Sequence, residues 1–260
     1  MMIGKRKIIY TVFMISILFF QFVNAQGSAG TDAKIEPRYL IDLPTAGMIP
    51  HGSFALDMDI YQDDGLLAGT SLGLFDRLII GVSYGGANLI GKENPTWNSI
   101  PGFQIKLRLL NETVFIPAIA LGFDSQGKEV YNKQLERYTI KSPGFFAVAS
   151  KNYNALGNLS FHGGVNYSLE RADKDRDPNI FLGAEKSVGP FISILAEYNL
   201  GWNDSHNNAL GRGRGYFNLG ARISVGTGFS VGLNFKDVLK NQQEFTIGNR
   251  TLMLEYVKSI

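Results

Sequence analysis

Phe103-Gln104-Ile105-Lys106-Leu107-Arg108-Leu109 carries a large apolar side chain at every odd position and a polar one at every even position. Successive side chains of a β-strand point to opposite faces, so this heptapeptide is one apolar face backed by Gln104, Lys106 and Arg108. The alternation recurs on both sides. Phe54, Leu56, Met58 and Ile60 alternate with Ala55, Asp57 and Asp59. Leu159, Phe161, Val165 and Tyr167 alternate with Ser160, His162, Gly164 and Asn166, and Phe217–Ile223 and Phe229–Phe235 repeat the pattern. Weaker members lie at 66–74, 78–84, 116–123, 145–151, 179–185, 192–200 and 251–257, giving twelve candidate strands. No helical period survives beyond Arg38.

The connections alternate as well. Short turns at 75–77, 111–113, 152–157, 187–190 and 226–228 are interleaved with longer polar segments at 86–101, 124–143, 170–178, 201–213 and 236–249. Only the first hairpin, through Gln62–Gly65, is short where a long loop is due. A soluble barrel or sandwich would also alternate. Here, however, the non-apolar face is rich in Gly, Ser and Asn with charges of both signs, and aromatics such as Tyr61, Tyr84, Tyr198 and Tyr256 sit near strand ends. Short turns on one side, longer loops on the other and strands of ~10 residues describe a membrane barrel. Backbone groups in hydrocarbon cannot stay unpaired, so the sheet has to close, first strand on last. The expectation is an all-β, antiparallel transmembrane β-barrel of about twelve strands, closed, with both termini at the short-turn rim.

Composition agrees. The 260 residues include 30 Gly, 12% aromatics and only 18% charged residues, which suits neither a disordered chain nor a helical enzyme. Cys is absent, which excludes disulfides, thiolate metal sites and cysteine nucleophiles. Residues 1–25 read as a signal peptide: Lys5-Arg6-Lys7, an apolar run from Ile8 to Phe20, and Val23-Asn24-Ala25 ahead of Gln26. Taking those three bases from 25 leaves 22 against 23 acids, so the remaining chain is near neutral and gives no electrostatic case for nucleic acid. The expected organisation is a signal peptide at 1–25, a polar linker at 26–38 and the barrel at 39–260, placed in the outer membrane of a diderm bacterium.

The segment Tyr39-Leu40-Ile41-Asp42-Leu43-Pro44-Thr45-Ala46-Gly47-Met48-Ile49-Pro50-His51-Gly52-Ser53-Phe54 opens the barrel. It resembles the opening of YjbH-type outer-membrane barrels through Ile41, Pro44, Thr45, Ala46, Pro50 and Gly52, with Tyr39 in place of a leading Gly and His51 where an Asp is common. The resemblance implies an outer-membrane barrel with a connection to envelope polysaccharide, and polysaccharide-export proteins as partners. Read from its residues alone, the segment suits a turn-rich plug or entry to the rim, since Pro44 and Pro50 fix φ and lack donors.

Chemistry is sparse. His162 shares its face with Ser160 and Asn166, a combination of hydrolytic type, but its spacing is wrong for one and a hydrogen-bonded lumen His is the reading preferred. Asp173-Lys174-Asp175-Arg176-Asp177 echoes a calcium loop without its Gly and Glu, and reads as a solvated external loop. Arg212 and Arg214 are candidates to meet lipopolysaccharide phosphates at the rim. The expected lumen lining includes Asp57, Asp59, Lys106, Arg108, His162, Glu197 and Arg222. Mixed charges of this kind either neutralise one another inside a filled barrel or line a weakly selective water path, and the filled barrel is favoured. No cofactor, metal or catalytic group is called for. The function expected is a non-enzymatic, monomeric envelope barrel in contact with outer-membrane lipid and lipopolysaccharide, structural or assisting exopolysaccharide export. A passive small-solute channel is the alternative, and a lipid hydrolase is the least supported.

Overall fold

The computed structural model describes residues 28–33, 35–206, 208–226, 228–243 and 249–260. The expected signal peptide at 1–25 lies outside them. Twelve strands form the wall: β1 Ser53–Tyr61, β2 Gly65–Leu74, β3 Leu78–Ala87, β4 Gly102–Leu110, β5 Ala118–Asp124 and β6 Gly144–Asn154 in the first half. The second half is β7 Asn158–Tyr167, β8 Asn179–Val188, β9 Ile192–Asn199, β10 Tyr216–Gly226, β11 Phe229–Lys236 and β12 Asn249–Ser259. Each pairs antiparallel with its sequence neighbours, and β1 pairs with β12 from Ser53↔Ser259 to Ile60↔Leu252. That last pairing closes the barrel and leaves no sheet edge for lipid to meet.

The wall is inside-out relative to a soluble sheet. In β4, Phe103, Ile105, Leu107 and Leu109 are 43–57% exposed, whereas Lys106 between them is fully buried. In β7, Phe161 is half exposed and His162 is buried. Apolar side chains therefore face outward and polar ones face the lumen, as a hydrocarbon surround requires. No helix among the described residues is long and apolar enough to cross a membrane; the chain crosses with strands.

The lumen is filled from the short-turn side by the chain's own residues ahead of β1. Tyr39 bridges Pro44, Leu40 N–H donates to Leu43 O (3.1 Å) and Thr45 N–H to Arg38 O (3.0 Å), which makes a tight hairpin. Its apolar side chains find apolar patches on the otherwise polar inner wall. Leu43 and Ala46 pack on Ala118, Ala120, Phe146, Val148 and Phe181, while Met48 and Ile49 pack on Ala55, Ile79 and Val257. Each fully buried Leu, Ile or Met contributes about 1.5–3 kcal/mol relative to exposure. The backbone is crowded to match. A Cβ on Gly47 would sit on the Pro37 carbonyl oxygen, and one on Gly183 of β8 would occupy the Leu40 side chain. The described residues between 28 and 38 touch the barrel: Ala29, Pro37 and Arg38 are buried, and Thr31 and Asp32 hydrogen-bond the Gly189–Pro190 turn.

The long-loop mouth is covered too. A hairpin of Lys128–Asn132 and Arg137–Ile140, inserted between β5 and β6, reaches the opposite wall. There Lys128 meets Asp59 of β1 at 2.9 Å, and Glu129 meets Lys236 of β11 and Asn249 of β12. Strands half the circumference apart are therefore spanned. Asp173 and Asp175, expected in a solvated loop, are buried beneath this cap. The reason is charge pairing: Arg137, itself inaccessible, donates to Asp173 (2.8 Å) and Asp204, and Lys141 adds a second cation on Asp173 at 2.7 Å.

Candidate functional site: the plug and its straps

The hairpin plug is held by charged side chains that alternate inward from the wall. Arg38, at the base of the hairpin, donates to Asp57 and Ser71 from one edge and to Glu255 (2.6 Å) from the other. It thereby ties β1, β2 and β12 together. At the hairpin tip the N–H groups of Ile41, Asp42 and Leu43 converge on one carboxylate oxygen of Glu197, at 3.1, 3.0 and 2.9 Å. Three consecutive amides make a concave anion-binding nest, and Glu197 of β9 fills it. Asn218 donates to the other Glu197 oxygen at 2.9 Å, and Lys236 pairs with Asp42 at 2.6 Å.

The remaining bases hold plug carbonyls. Lys106 Nζ donates to Arg38 O and Thr45 O, both at 3.2 Å. Arg222 reaches Tyr39 O, Leu40 O and Ser28 Oγ, and Arg108 reaches Ala46 O and Glu36. These donors satisfy backbone acceptors that the irregular plug cannot pair internally, which is why the wall is charged where it meets the plug.

The seven lumen candidates divide accordingly. Asp57, Lys106, Arg108, Glu197 and Arg222 touch the plug directly. Asp59 instead holds the cap through Lys128. His162 acts through Ser150: its Nδ1 lies 2.8 Å from Ser150 Oγ, which also accepts the Ala46 N–H at 2.9 Å. Ser160 and Asn166, grouped with His162 by sequence, bond elsewhere, to Asn152 and Pro143 O. His162 Nε2 has no hydrogen-bond partner, so no carboxylate orients the ring as a hydrolytic triad needs. Sequence reasoning missed Arg38, Glu36 and the Arg137–Asp173–Asp204 group. Arg38 was legible only as the base next to the plug motif, and the cap group carries no local signal.

The plug leaves a cavity of about 500 Å³ open at the short-turn rim, between Ile35, Glu36 and Pro37 on its side and Phe229, Ser230 and Val257 on the wall, and a much smaller space farther from that rim. A cavity of about 80 Å³ lies between the Tyr39 ring and the β1–β4 wall, bordered by Asp57, Asp59, Gln104 and Asp124. That holds water but is well short of the ~300 Å³ at which ligand pockets begin. In the loops, Asp175, Asp177 and His206 bring ligand-type atoms within 4.8 Å of one another. Asp175 already accepts the Ser205 and His206 amides at 3.0 and 3.1 Å, which accounts for the approach as a turn. Outside the wall, burial pushes the Glu129 carboxyl up to about 7 against the pull of Lys236. Burial would also raise Asp204, but the Arg137 and Tyr216 hydrogen bonds outweigh it and hold that carboxyl below its ordinary value.

The chain is similar in structure to the KdgM porin at 8% identity, with a TM-score of 0.47 over 78% of this chain and 98% of that one. It is similar to the NanC porin at 6% identity and TM-score 0.45, over 80% of this chain and 99% of that one. The outer membrane protein Omp33 of Acinetobacter baumannii gives 11% and 0.44, over 80% and 97%. The fold itself is established by the chain's own strand pairing. No curated protein compared with the chain matches it. The sequence model for the exopolysaccharide biosynthesis protein YbjH matches residues 39–173. That span is just over half of the chain, running from Tyr39 in the plug through seven wall strands to Asp173 under the cap, and the chain belongs to this YjbH family.

Proposed function

We propose that this protein is a closed, non-enzymatic outer-membrane barrel that assists exopolysaccharide export, delivered there by a signal peptide cleaved after Ala25. The observation that carries the reading is the strapped plug. A barrel that served as an open solute pore would not commit Arg38, Lys106, Arg108, Glu197 and Arg222 to holding its own backbone across the lumen. The family's role in exopolysaccharide biosynthesis supplies the process. Within it the barrel would act as a structural or docking component and not as the conduit, with lipopolysaccharide around its wall and Arg212 and Arg214 exposed at the long-loop rim. The test is a clean deletion of the coding sequence followed by quantification of cell-surface and released exopolysaccharide. Loss of the polymer, restored by the intact chain, is expected. Unchanged polymer together with steady single-channel openings of the purified protein would make the passive channel the better reading.

A further inference from the structure

The cavity at the short-turn rim, about 500 Å³, falls within the ~300–1,000 Å³ of ligand pockets, and the straps that hold the plug do not fill it. Its wall side carries one row of polar side chains. Ser224 of β10 stands opposite Ser230 of β11, and Ser230 stands opposite Glu255 of β12. Directly opposite residues share a face, so two hydroxyls and a carboxylate follow one another across three strands at the ~4.8 Å strand spacing. All three line the cavity. Arg38 engages Glu255 through Oε1 alone, with Nε at 3.2 Å and Nη2 at 2.6 Å, which leaves Oε2 for the cavity. Ser224 is tied down through its N–H, which donates to Phe191 O at 2.8 Å. Among the described residues no hydrogen bond engages the Ser224 or Ser230 hydroxyl.

The facing side is apolar. Ile35 and Pro37 of the chain ahead of the plug hairpin lie across from the row, Val257 of β12 lies beside it, and the half-exposed ring of Phe191 borders the space. An acyl chain or an apolar side chain placed here would bury the row without partners, which is costly. A body that is apolar on its faces and hydroxylated around its edge satisfies both sides, and a pyranose ring is such a body. Charge narrows the class further. The described lining includes Asp32, Glu36 and Glu255 and no base, so a uronic acid would meet like charge, whereas a neutral or amino sugar does not.

We propose that this cavity binds a short neutral or amino-sugar stretch of the exopolysaccharide, entering from the short-turn side. The proposal rests on the export reading above and deepens it: what the barrel docks is the polymer itself. Ring hydroxyls donate to Glu255 Oε2 and exchange hydrogen bonds with Ser224 and Ser230, while a ring face packs on Ile35 and Pro37.

The test uses the full barrel refolded into phosphatidylcholine nanodiscs, which leave both rims accessible and bring no sugar-headed detergent; folding is checked by heat-shifted migration. The probes are short oligosaccharides released by mild acid from the exopolysaccharide of the bacterium that carries the chain, and the same oligosaccharides after oxidation of their primary alcohols to carboxylates. Titration calorimetry should show binding of the first and about tenfold or weaker binding of the second. Ser230→Phe fills the cavity from the wall and should weaken binding about tenfold or more, with Ser224→Tyr in its place if that chain fails the folding check. Ser230→Ala keeps the space, removes one hydroxyl and should weaken binding about fivefold. No binding of the released oligosaccharides overturns the proposal. Affinity unchanged in the filled variants overturns it too, because the sugar would then sit elsewhere, and oxidised probes bound as tightly as the parent overturn the assigned class. The export reading stands or falls separately. A deletion that abolishes the polymer beside a barrel that binds none of it keeps that reading and discards this site, whereas binding beside polymer output unaffected by the deletion keeps the site and discards the reading.

Discussion

Arg38 concentrates the cost of holding the plug. Its guanidinium keeps Asp57 and Glu255 apart, and removing it leaves two carboxylates facing each other across the lumen. Arg38→Leu should destabilise the folded barrel toward the lower end of the ~3–5 kcal/mol expected for a broken buried pair. The lower end applies because the Asp57 side chain keeps 30% of its exposure. Urea titration in vesicles measures it, and adding Asp57→Asn should recover part of the loss; no recovery would show that the pairing carries none of it. Glu129 gives a pH dependence whose sign is set by its raised carboxyl. Burial lifts it to about 7 in a setting that also contains Lys236, Asp42 and Asp237. An acid raised on folding stabilises the cap fully below its ordinary value near 4.5, and that stability is lost as pH rises through about 7. Hydrogen exchange in the hairpin of residues 128–140 should therefore quicken between those values, and Glu129→Gln should flatten the response. A wild-type hairpin insensitive to pH over that window would remove Glu129 as its cause.

At the scale of elements, the strands and the segments they carry obey different physics. In β4, Ile105 and Leu107 flank the strand midpoint on the lipid face, so Leu107→Arg should cost about 2–4 kcal/mol. Arg108→Leu, one residue on, should be milder, about 1 kcal/mol, because Glu36 is 32% exposed and still accepts the Met48 N–H. Equal losses in urea unfolding would mean the two faces do not differ as described. The twelve strands were legible because lipid on one side and a polar lumen on the other impose period two at every strand, as Phe103–Leu109 and Leu159–Tyr167 display. The plug has no period. Its fold depends on Glu197, Lys106 and Arg222, which lie 60 or more residues away in sequence, so Tyr39–Ile49 could be recognised as turn-rich but not placed. The cap was least legible. Arg137, Asp173 and Asp204 are separated by 36 and 67 positions from Arg137, and an Asp-Lys-Asp-Arg-Asp run looks like any solvated loop until its partner is known.

In the whole molecule, plug and cap are two barriers in series. The plug occupies the lumen from the short-turn side, and the hairpin of residues 128–140 crosses the long-loop mouth to reach Asp59, Lys236 and Asn249. The intact protein should therefore be electrically silent in planar bilayers. Deleting residues 36–49 uncovers Lys106, Arg108 and Arg222 together with Asp57, Glu197 and Glu255, three bases against three acids. A pore lined in that way has little preference between cations and anions. With the cap still seated, its openings should be brief. Arg137→Ala strands the Asp173 and Asp204 carboxylates under the cap, leaving Lys141 on the first and Tyr216 on the second. That weakens the cap without touching the plug, so the single substitution should stay silent. Only the two changes combined should give long, steady, weakly selective openings. Steady openings from the plug deletion alone would show that the hairpin leaves the mouth open, and steady openings from Arg137→Ala alone would show that the plug does not seal the lumen.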